Sequence, residues 1–282
     1  VGPPTKDSAD IDYTFGQVAL EKPVVDYATN CGNLSSAIAP FAIDEGLVTP
    51  DLTDGIATVR LHNTNTGVII HAQTPVTNSK AAVTGDFEIQ GVYGTGARIR
   101  LDYLEPGGAT TGKFLPAGEI ISSLNVEEVG KVDVSLVDAT TGMVFIDASN
   151  VGLSATESPE AIEGDADMMA RLDAIRRSAG VCMGLANCVE DVPLTNPRIG
   201  LLAGPSEFTA LDGSRLAPDE QDITVRILSL NNVHRVSPLT SALCLAAASR
   251  IEGSIPNKLA RQTNGNLRVG TPSGVLQVNA VV

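Results

Sequence analysis

The sequence predicts an α+β protein built from two similar halves. Most apolar segments are short and end at turn residues, which is typical of β-strands. Two longer runs of small residues, Leu34–Glu45 and Leu239–Arg250, have the spacing of helices. Ser36-Ala37-Ile38 in the first run aligns with Ser241-Ala242-Leu243 in the second, and each run leads to a Glu-Gly pair. This weak internal repeat indicates that the two halves share one plan.

The chain of 282 residues is long enough for one large domain or two medium ones. We place the halves at 1–130 and 131–282, because a new series of strands begins close to Val132. The last strand of the chain is expected to return to the first half.

In the first half, short strands surround the small-residue helix. The apolar runs Tyr13–Leu20 and Val24–Tyr27 precede that helix, and Pro40 should bend it. Turn residues such as Asn65-Thr66-Gly67 separate the segments that follow. These predicted strands are Thr58–His62, Val68–Gln73, Asp86–Gln90 and Arg98–Leu104.

In the second half, strands alternate with two helices. Apolar residues at helical spacing predict an amphipathic helix over 165–179, and Gly180 is suited to end it. The second small-residue helix follows, and 264–282 should form a hairpin that turns at Asn264-Gly265-Asn266. The predicted strands are Val132–Val137, Met143–Asp147, Ile199–Leu202 and Thr224–Ser229.

The acidic composition limits the partners of the protein. With 33 acidic and 19 basic side chains, the net charge of −14 argues against binding to nucleic acid or to an anionic membrane. A small anionic ligand remains compatible, because a few local donors can outweigh a distant net charge. No apolar run approaches the roughly 20 residues that cross a bilayer, and the start of the chain does not resemble a signal peptide.

The cysteines indicate a reducing, cytoplasmic setting. Cys31, Cys182, Cys188 and Cys244 form no closely spaced pair, as structural zinc would need. Four cysteines in so long a chain are also too few for a secreted disulfide framework. We therefore expect free thiols and no bound metal.

The first candidate site is Asn30-Cys31-Gly32-Asn33, placed between a strand and a predicted helix start. Backbone N–H groups and the positive end of a helix stabilise a thiolate. Gly32 permits close approach of a ligand, and the amides of Asn30 and Asn33 can hydrogen-bond an anion. In the alternative interpretation, Asn33 caps the helix and Cys31 only fills space.

The second candidate site precedes the second small-residue helix. His234, Arg235 and Ser237 lie at its start, where a helix end already favours a carboxylate. The alternative is a solvated loop with a capping hydroxyl. Two such helix starts in two related halves together suggest one ligand held between them.

The order of several segments along the chain resembles the 2-methylaconitate cis-trans isomerase family. This resemblance covers nearly the whole chain. It implies the diaminopimelate epimerase-like fold, in which each pseudo-equivalent half is a mixed sheet wrapped around a central helix and the active site lies in the cleft between them. The segments are Asn30-Cys31-Gly32-Asn33, Thr58–Gly67, Gly108–Pro116, Ala170–Arg176 with Met183–Leu185, and His234-Arg235.

The resemblance implies a cofactor-independent isomerase that shifts a double bond in a small unsaturated di- or tricarboxylic acid. Substrates in the family include 2-methylaconitate, methylitaconate, 4-oxalomesaconate and aconitate. Cys31 would then be the catalytic acid or base. The substrate carboxylates would be bound by Asn30, Gly32, Asn33, His234, Arg235 and Ser237.

Family members also carry a lysine ahead of the position that corresponds to Val1, and this lysine is the expected partner of the cysteine. A chain that truly began at Val1 would lack half of its acid–base pair, and an inactive binding protein is therefore one alternative. The other alternative is an amino-acid epimerase or racemase of the same fold. Such enzymes use a cysteine from each half, whereas the internal repeat places Val236 opposite Cys31. For assembly, we expect a homodimer.

Overall fold

The computed structural model describes residues 1–18, 23–27, 30–89 and 91–282. The chain divides into two compact units, Val1–Pro106 and Gly107–Val282. Each unit combines a β-sheet with helices, as the predicted α+β class requires.

The first unit contains short strands and two short helices. Its elements are, in chain order, β1 (Ile11–Tyr13), β2 (Gln17–Val18), β3 (Val25–Asp26), α1 (Gly32–Ser35), α2 (Ile38–Asp44), β4 (Leu52–Thr53), β5 (Ile56–Asn63), β6 (Ile69–Thr77), β7 (Lys80–Ala81) and β8 (Arg100–Leu104). Among the described residues, six strands form one sheet in the order β1-β5-β6-β7, with β4 beside β5 and β8 beside β6. β1 runs parallel to β5, and the other pairs are antiparallel.

The predicted helix over 34–45 is wrong as one continuous helix, because it is interrupted at Ser36-Ala37. Pro40 explains the interruption. Proline is tolerated in the first turn of a helix, where its missing N–H would have no partner, but not in the interior. α2 therefore starts afresh at Ile38 and holds Pro40 in its first turn.

The predicted strand over 86–90 is also absent from its described part. Phe87 forms only an isolated bridge with Gly96, and Gln90 lies outside the described residues. The predicted apolar run Tyr13–Leu20 is divided between β1 and β2, and its last two residues are likewise outside the description.

The second unit is built on a longer sheet. Its elements are β9 (Ser122–Val126), β10 (Gly130–Asp138), β11 (Gly142–Asp147), α3 (Pro159–Glu163), α4 (Ala166–Cys182), β12 (Arg198–Ala203), β13 (Phe208–Thr209), β14 (Arg215–Leu216), β15 (Ile223–Ser229), β16 (Asn232–Val233), α5 (Leu239–Ser249), α6 (Ile255–Leu259), β17 (Leu267–Thr271) and β18 (Gly274–Val278). In this fully described unit, eight strands form one sheet in the order β18-β17-β15-β12-β11-β10-β9, with β16 beside β15.

This sheet has a hydrophobic core on each face. Val144 and Ile146 of β11 pack in one core with α4, whereas Met143 and Phe145 pack in the other with α5. Since successive strand residues point to opposite faces, a strand buried on both sides is apolar throughout. Nine of the eleven α5 residues are buried, which requires the small side chains that the sequence shows.

The ends of several predicted elements differ from the structure. Gly180 was expected to end the helix, but it lies inside α4, which continues to Cys182. A Cβ at this position would come within 2.5 Å of Val192 Cγ1. The glycine thus marks close packing. The terminal hairpin turns at Pro272-Ser273 instead of at 264–266, since Thr271 pairs with Gly274.

The division between the units also differs from the one placed at 130. β9 pairs antiparallel with β10, so residues before 130 already belong to the second sheet. The last strand, β18, pairs with β17 at one end of that same sheet. Within the described residues, no helix is long and apolar enough to cross a membrane.

Candidate active site

Cys31 lies at the start of α1 in the first unit. It is the N-cap residue, with an extended backbone, and its thiol is free and partly exposed. Its carbonyl accepts hydrogen bonds from the Ser35 N–H at 3.0 Å and the Ser35 hydroxyl at 2.9 Å. α1 is a single turn, so its helix dipole is smaller than the one that a long helix would provide.

The neighbours of Cys31 divide into buried and exposed residues. Gly32 and Asn30 are buried, whereas Asn33 is exposed. Asn33 lies inside α1 and does not cap it, so the alternative interpretation of this asparagine as the cap is wrong. Its carbonyl accepts the Ser36 hydroxyl at 2.6 Å.

Asn30 anchors the loop that carries Cys31. Its Oδ1 accepts hydrogen bonds from the Tyr13 hydroxyl at 3.2 Å and from Asn63 Nδ2 at 3.3 Å. Asn63 lies at the end of β5 and also holds its own turn, because its Oδ1 accepts from the N–H and the hydroxyl of Thr66. The buried amide oxygen of Asn30 is therefore engaged in fixing the backbone before Cys31.

Tyr13 is buried and contacts this loop, and sequence reasoning assigned no role to it. The Tyr13 hydroxyl of β1 lies 2.7 Å from Ser35 Oγ. Burial raises the pKa of Tyr13 to about 12, and Cys31 adds to the rise, whereas Ser35 opposes it. Burial also raises the pKa of Tyr103 on β8; the charges of Tyr13 and Cys31 act in the same direction, whereas the Ser35 side chain opposes the rise. Both phenols therefore stay protonated at neutral pH.

The second cluster lies at the start of α5 in the second unit. The His234 ring Nε2 is 2.6 Å from the Ser229 hydroxyl. Burial, together with the charges of Arg198 and Arg235, lowers the pKa of His234 to about 4. The imidazole is therefore neutral at pH 7, where it acts through hydrogen bonds and not through charge.

Ser237 comes just before α5 and is only 4% exposed. Its hydroxyl has no hydrogen-bond partner within the described residues. Arg198 at the start of β12 approaches the same helix end and donates to the hydroxyls of Thr240 at 3.0 Å and Ser241 at 2.9 Å. Arginine and hydroxyl donors at a helix N-terminus are suited to an anion.

Arg235 is placed differently from the other predicted residues of this cluster. Its guanidinium is held by both oxygens of Glu163, at 2.5 and 2.9 Å, and by Glu160 at 3.0 Å. These contacts fasten the loop to α3. The basic side chain that borders the start of α5 is Arg198, which sequence reasoning missed because it lies far away along the chain.

Cys244 is the cysteine within α5. It is fully buried, and its thiol donates to the Val137 carbonyl at 3.6 Å. Burial raises the pKa of this thiol, so it remains protonated in the core. Since α5 begins after Pro238 and Val236 precedes it, a cysteine equivalent to Cys31 is missing from this helix start.

The fold and these two clusters define a class: an α+β protein with a thiol at a helix start in one unit and an arginine- and hydroxyl-rich helix start in the other. Residues 3–281 match the PrpF protein family. The 3-methylitaconate isomerase of Eubacterium barkeri is 36% identical over 100% of this chain and 75% of its own. The 2-methyl-aconitate isomerase of Cupriavidus necator is 33% identical, covering 98% of this chain and 72% of its own. The chain therefore belongs to the PrpF protein family.

The 4-oxalomesaconate tautomerase of Pseudomonas putida is 32% identical over 97% of this chain and 70% of its own. These relatives are isomerases, so the family and the enzyme class predicted from the sequence are confirmed.

A solved structure shows the same fold. The crystal structure of methylitaconate-delta-isomerase superposes with a TM-score of 0.88 at 36% identity, covering 100% of this chain and 73% of that one. A probable proline racemase from Agrobacterium radiobacter K84, at 13% identity and a TM-score of 0.54, shares the fold alone. The predicted fold class is thereby confirmed.

Proposed function

We propose that the protein is an isomerase that shifts a carbon–carbon double bond in a small unsaturated di- or tricarboxylic acid. Candidate substrates are 2-methylaconitate, methylitaconate, 4-oxalomesaconate and aconitate. The observation that carries the proposal is the 36% identity to a 3-methylitaconate isomerase over the whole of this chain. The free thiol of Cys31 at a helix start supports it.

The chemistry explains why such a site needs a thiol and anion donors. Removing a proton from a carbon near a carboxylate leaves a carbanion whose charge spreads along the conjugated system. One positioned group takes this proton, and a second group, or the same one, returns a proton to a different carbon. Donors that hold the carboxylates stabilise the developing charge.

We assign the proton transfer to Cys31 and the carboxylate binding to donors from both helix starts. Gly32 and Asn33 flank the thiol, and Asn30 fixes their backbone. At the start of α5, the unpartnered Ser237 hydroxyl and the neutral His234 are the proposed donors. Arg235 was predicted to bind substrate, but its guanidinium is paired with Glu163. We therefore add Arg198 to the proposal as a carboxylate-binding residue.

We further propose a cytoplasmic location, no cofactor and a homodimeric assembly. The four free thiols support a reducing compartment. The proton-transfer chemistry draws only on side-chain acids and bases, which supports a cofactor-independent reaction. Light scattering after gel filtration measures the assembly.

Proton NMR in D₂O tests the proposed reaction. The protein is produced with any coding sequence upstream of Val1, since the resemblance implies a lysine partner there. It is mixed in turn with the four candidate acids, and with diaminopimelate and proline as controls. Deuterium should enter one of the acids as its double bond moves. Exchange only at an amino-acid α-carbon, or none at all, would contradict the proposal.

Replacing the thiol tests the proposed role of Cys31. Cys31→Ala should lower kcat at least about a hundredfold, because general acid–base catalysis contributes on this scale. Cys182→Ala is the matched control, since Cys182 is an exposed thiol in the other unit. Undiminished isomerisation by Cys31→Ala would remove this residue from the mechanism.

A further inference from the structure

Glu163 ends α3 with a carboxylate, which is the less favourable charge at that position. The C-terminal end of a helix carries partial negative charge, so cations and not anions are stabilised there. The start of α3 is capped by another residue, since the Ser158 side chain accepts the Ala161 N–H. The carboxylate of Glu163 therefore does not serve its own helix, and its role follows from its contacts with another element.

These contacts join Glu163 to the loop before α5. Glu163 Oε1 accepts the Val233 N–H at 2.8 Å and Arg235 Nη1 at 2.5 Å, and Oε2 accepts Arg235 Nη2 at 2.9 Å. Arg235 Nη1 also donates to the Val233 carbonyl at 2.8 Å. A forked pair between an arginine and a carboxylate is geometrically specific as well as strong. One carboxylate thus holds the residues on both sides of His234.

The backbone of this loop has two further anchors. The His234 N–H donates to the Ile227 carbonyl of β15 at 2.8 Å. The Ser273 hydroxyl, from the turn between β17 and β18, donates to the Arg235 carbonyl at 2.8 Å. Both anchors belong to the sheet, whereas Glu163 reaches the loop from a helix. Glu163 can therefore be replaced without removing a hydrogen bond of the sheet ladder.

Glu163 is the stronger of two acidic contacts to Arg235. Its side chain is 22% exposed, whereas that of Glu160 is 62% exposed. Exposed ion pairs contribute little, and hydrogen bonds between charged and backbone groups contribute more as they are shielded from water. The hydrogen bond from Arg235 lowers the pKa of Glu163, burial opposes this effect, and the Val233 N–H lowers the pKa again. The carboxylate therefore stays charged at neutral pH.

We propose that Glu163 is a positioning residue of the substrate site: by holding Val233 and Arg235, it fixes the loop that presents His234 before α5. This inference rests on the proposed function for its catalytic meaning, because His234 is a proposed carboxylate donor there. Arg235 then acts by fastening the loop and does not touch the substrate. Glu163 takes no part in the proton transfer.

Chemical modification of His234 tests this positioning without requiring isomerase activity. Diethyl pyrocarbonate acylates neutral imidazoles, and peptide mass spectrometry reads the rate at each histidine. At pH 7, Glu163→Ala should raise the rate at His234 about tenfold, since loss of a hydrogen bond to a charged group makes local opening about tenfold more frequent. Glu163→Gln keeps an oxygen for the Val233 N–H, so its rate should lie between the two. His62 and His71, in the other unit, should not change.

Glu207→Ala is the matched control, because it removes an exposed pair with Arg215 from the same unit. Its rate at His234 should equal that of the parent protein. Alkylation of the fully buried Cys244 measures unfolding of this unit and should stay slow in every variant. If Cys244 becomes reactive in Glu163→Ala, the comparison is made with Glu163→Gln alone.

Steady-state kinetics measure whether the position of the loop matters for the substrate. In Glu163→Gln, KM should rise severalfold while kcat stays nearly constant, since a loss of uniform binding changes KM only. An unchanged rate of modification at His234 would overturn the proposal, even if isomerisation slowed. Faster modification with an unaltered KM would also overturn it, because the contact would then be structural only. Faster modification in a protein that isomerises none of the acids would support the fixing of His234 and contradict the proposed function.

Discussion

Burial determines the charge of His234, and this charge has a consequence for stability. In the unfolded chain this histidine takes up a proton near its ordinary pKa of 6.5, whereas in the folded protein burial lowers that pKa to about 4. Unfolding therefore takes up a proton between these two values. The free energy of unfolding should fall as the pH falls from 6.5 to 4, by up to about 3 kcal/mol.

Urea unfolding at pH 7.5 and pH 5 measures this dependence. His234→Gln cannot titrate in this window, so its free energy of unfolding should fall less between the two pH values than that of the parent protein. Most carboxyl groups titrate below this range and contribute little to the difference. An identical pH dependence in both proteins would show that His234 is not the group responsible.

Single residues of the candidate site were predictable where they cluster along the chain. Asn30 to Asn33 and His234 to Ser237 stand out because polar residues precede a small-residue helix. Tyr13 and Arg198 do not, since one aromatic or basic residue in a strand is most often part of a core or a solvated edge. Only the folded contacts bring Tyr13 beside α1 and Arg198 to the start of α5.

At the scale of elements, the strands were the more predictable part. Strand interiors such as β11 follow from runs of apolar residues, whereas helix ends depend on side chains from elsewhere. Gly180 illustrates this, because Val192, which dictates the glycine, lies beyond the end of α4. The break before α2 was signalled by Pro40, but a bend and a new helix start produce the same sequence pattern.

The start of α5 yields a prediction for an element's end. Ser237→Ala removes a buried, unpartnered hydroxyl, so stability should stay the same or rise by up to about 1 kcal/mol. If this hydroxyl binds a substrate carboxylate, KM should rise roughly tenfold, which corresponds to about 1.4 kcal/mol of lost binding. Steady-state kinetics and thermal melting measure both effects.

Ser122→Ala is the matched control for this experiment. The Ser122 hydroxyl is also buried and has no partner among the described residues, but it lies on β9, the strand at one end of the eight-stranded sheet. Its removal should change stability in the same direction and leave KM unaltered. Equal KM values for the two variants would exclude Ser237 from substrate binding.

At the scale of the whole molecule, the two units differ in the size of their hydrophobic cores. Both large hydrophobic clusters belong entirely to Gly107–Val282, one on each face of the eight-stranded sheet. Among the described residues of the first unit, the buried side chains are fewer and include Ile11, Leu61 and Ile70. The sequence repeat indicates related halves, but it does not reveal this inequality, because short strands of either unit look equally apolar.

The second unit should therefore fold without the first. Gly107–Val282 has the usual size of an independent domain, and its core residues all lie within it. Produced alone, it should unfold in one cooperative thermal transition and show dispersed methyl signals in proton NMR. Gradual melting with strong binding of a hydrophobic dye would instead mean that residues 1–106 are needed to fix its packing. In that case, the division of the chain into two units would describe contacts only and not independent stability.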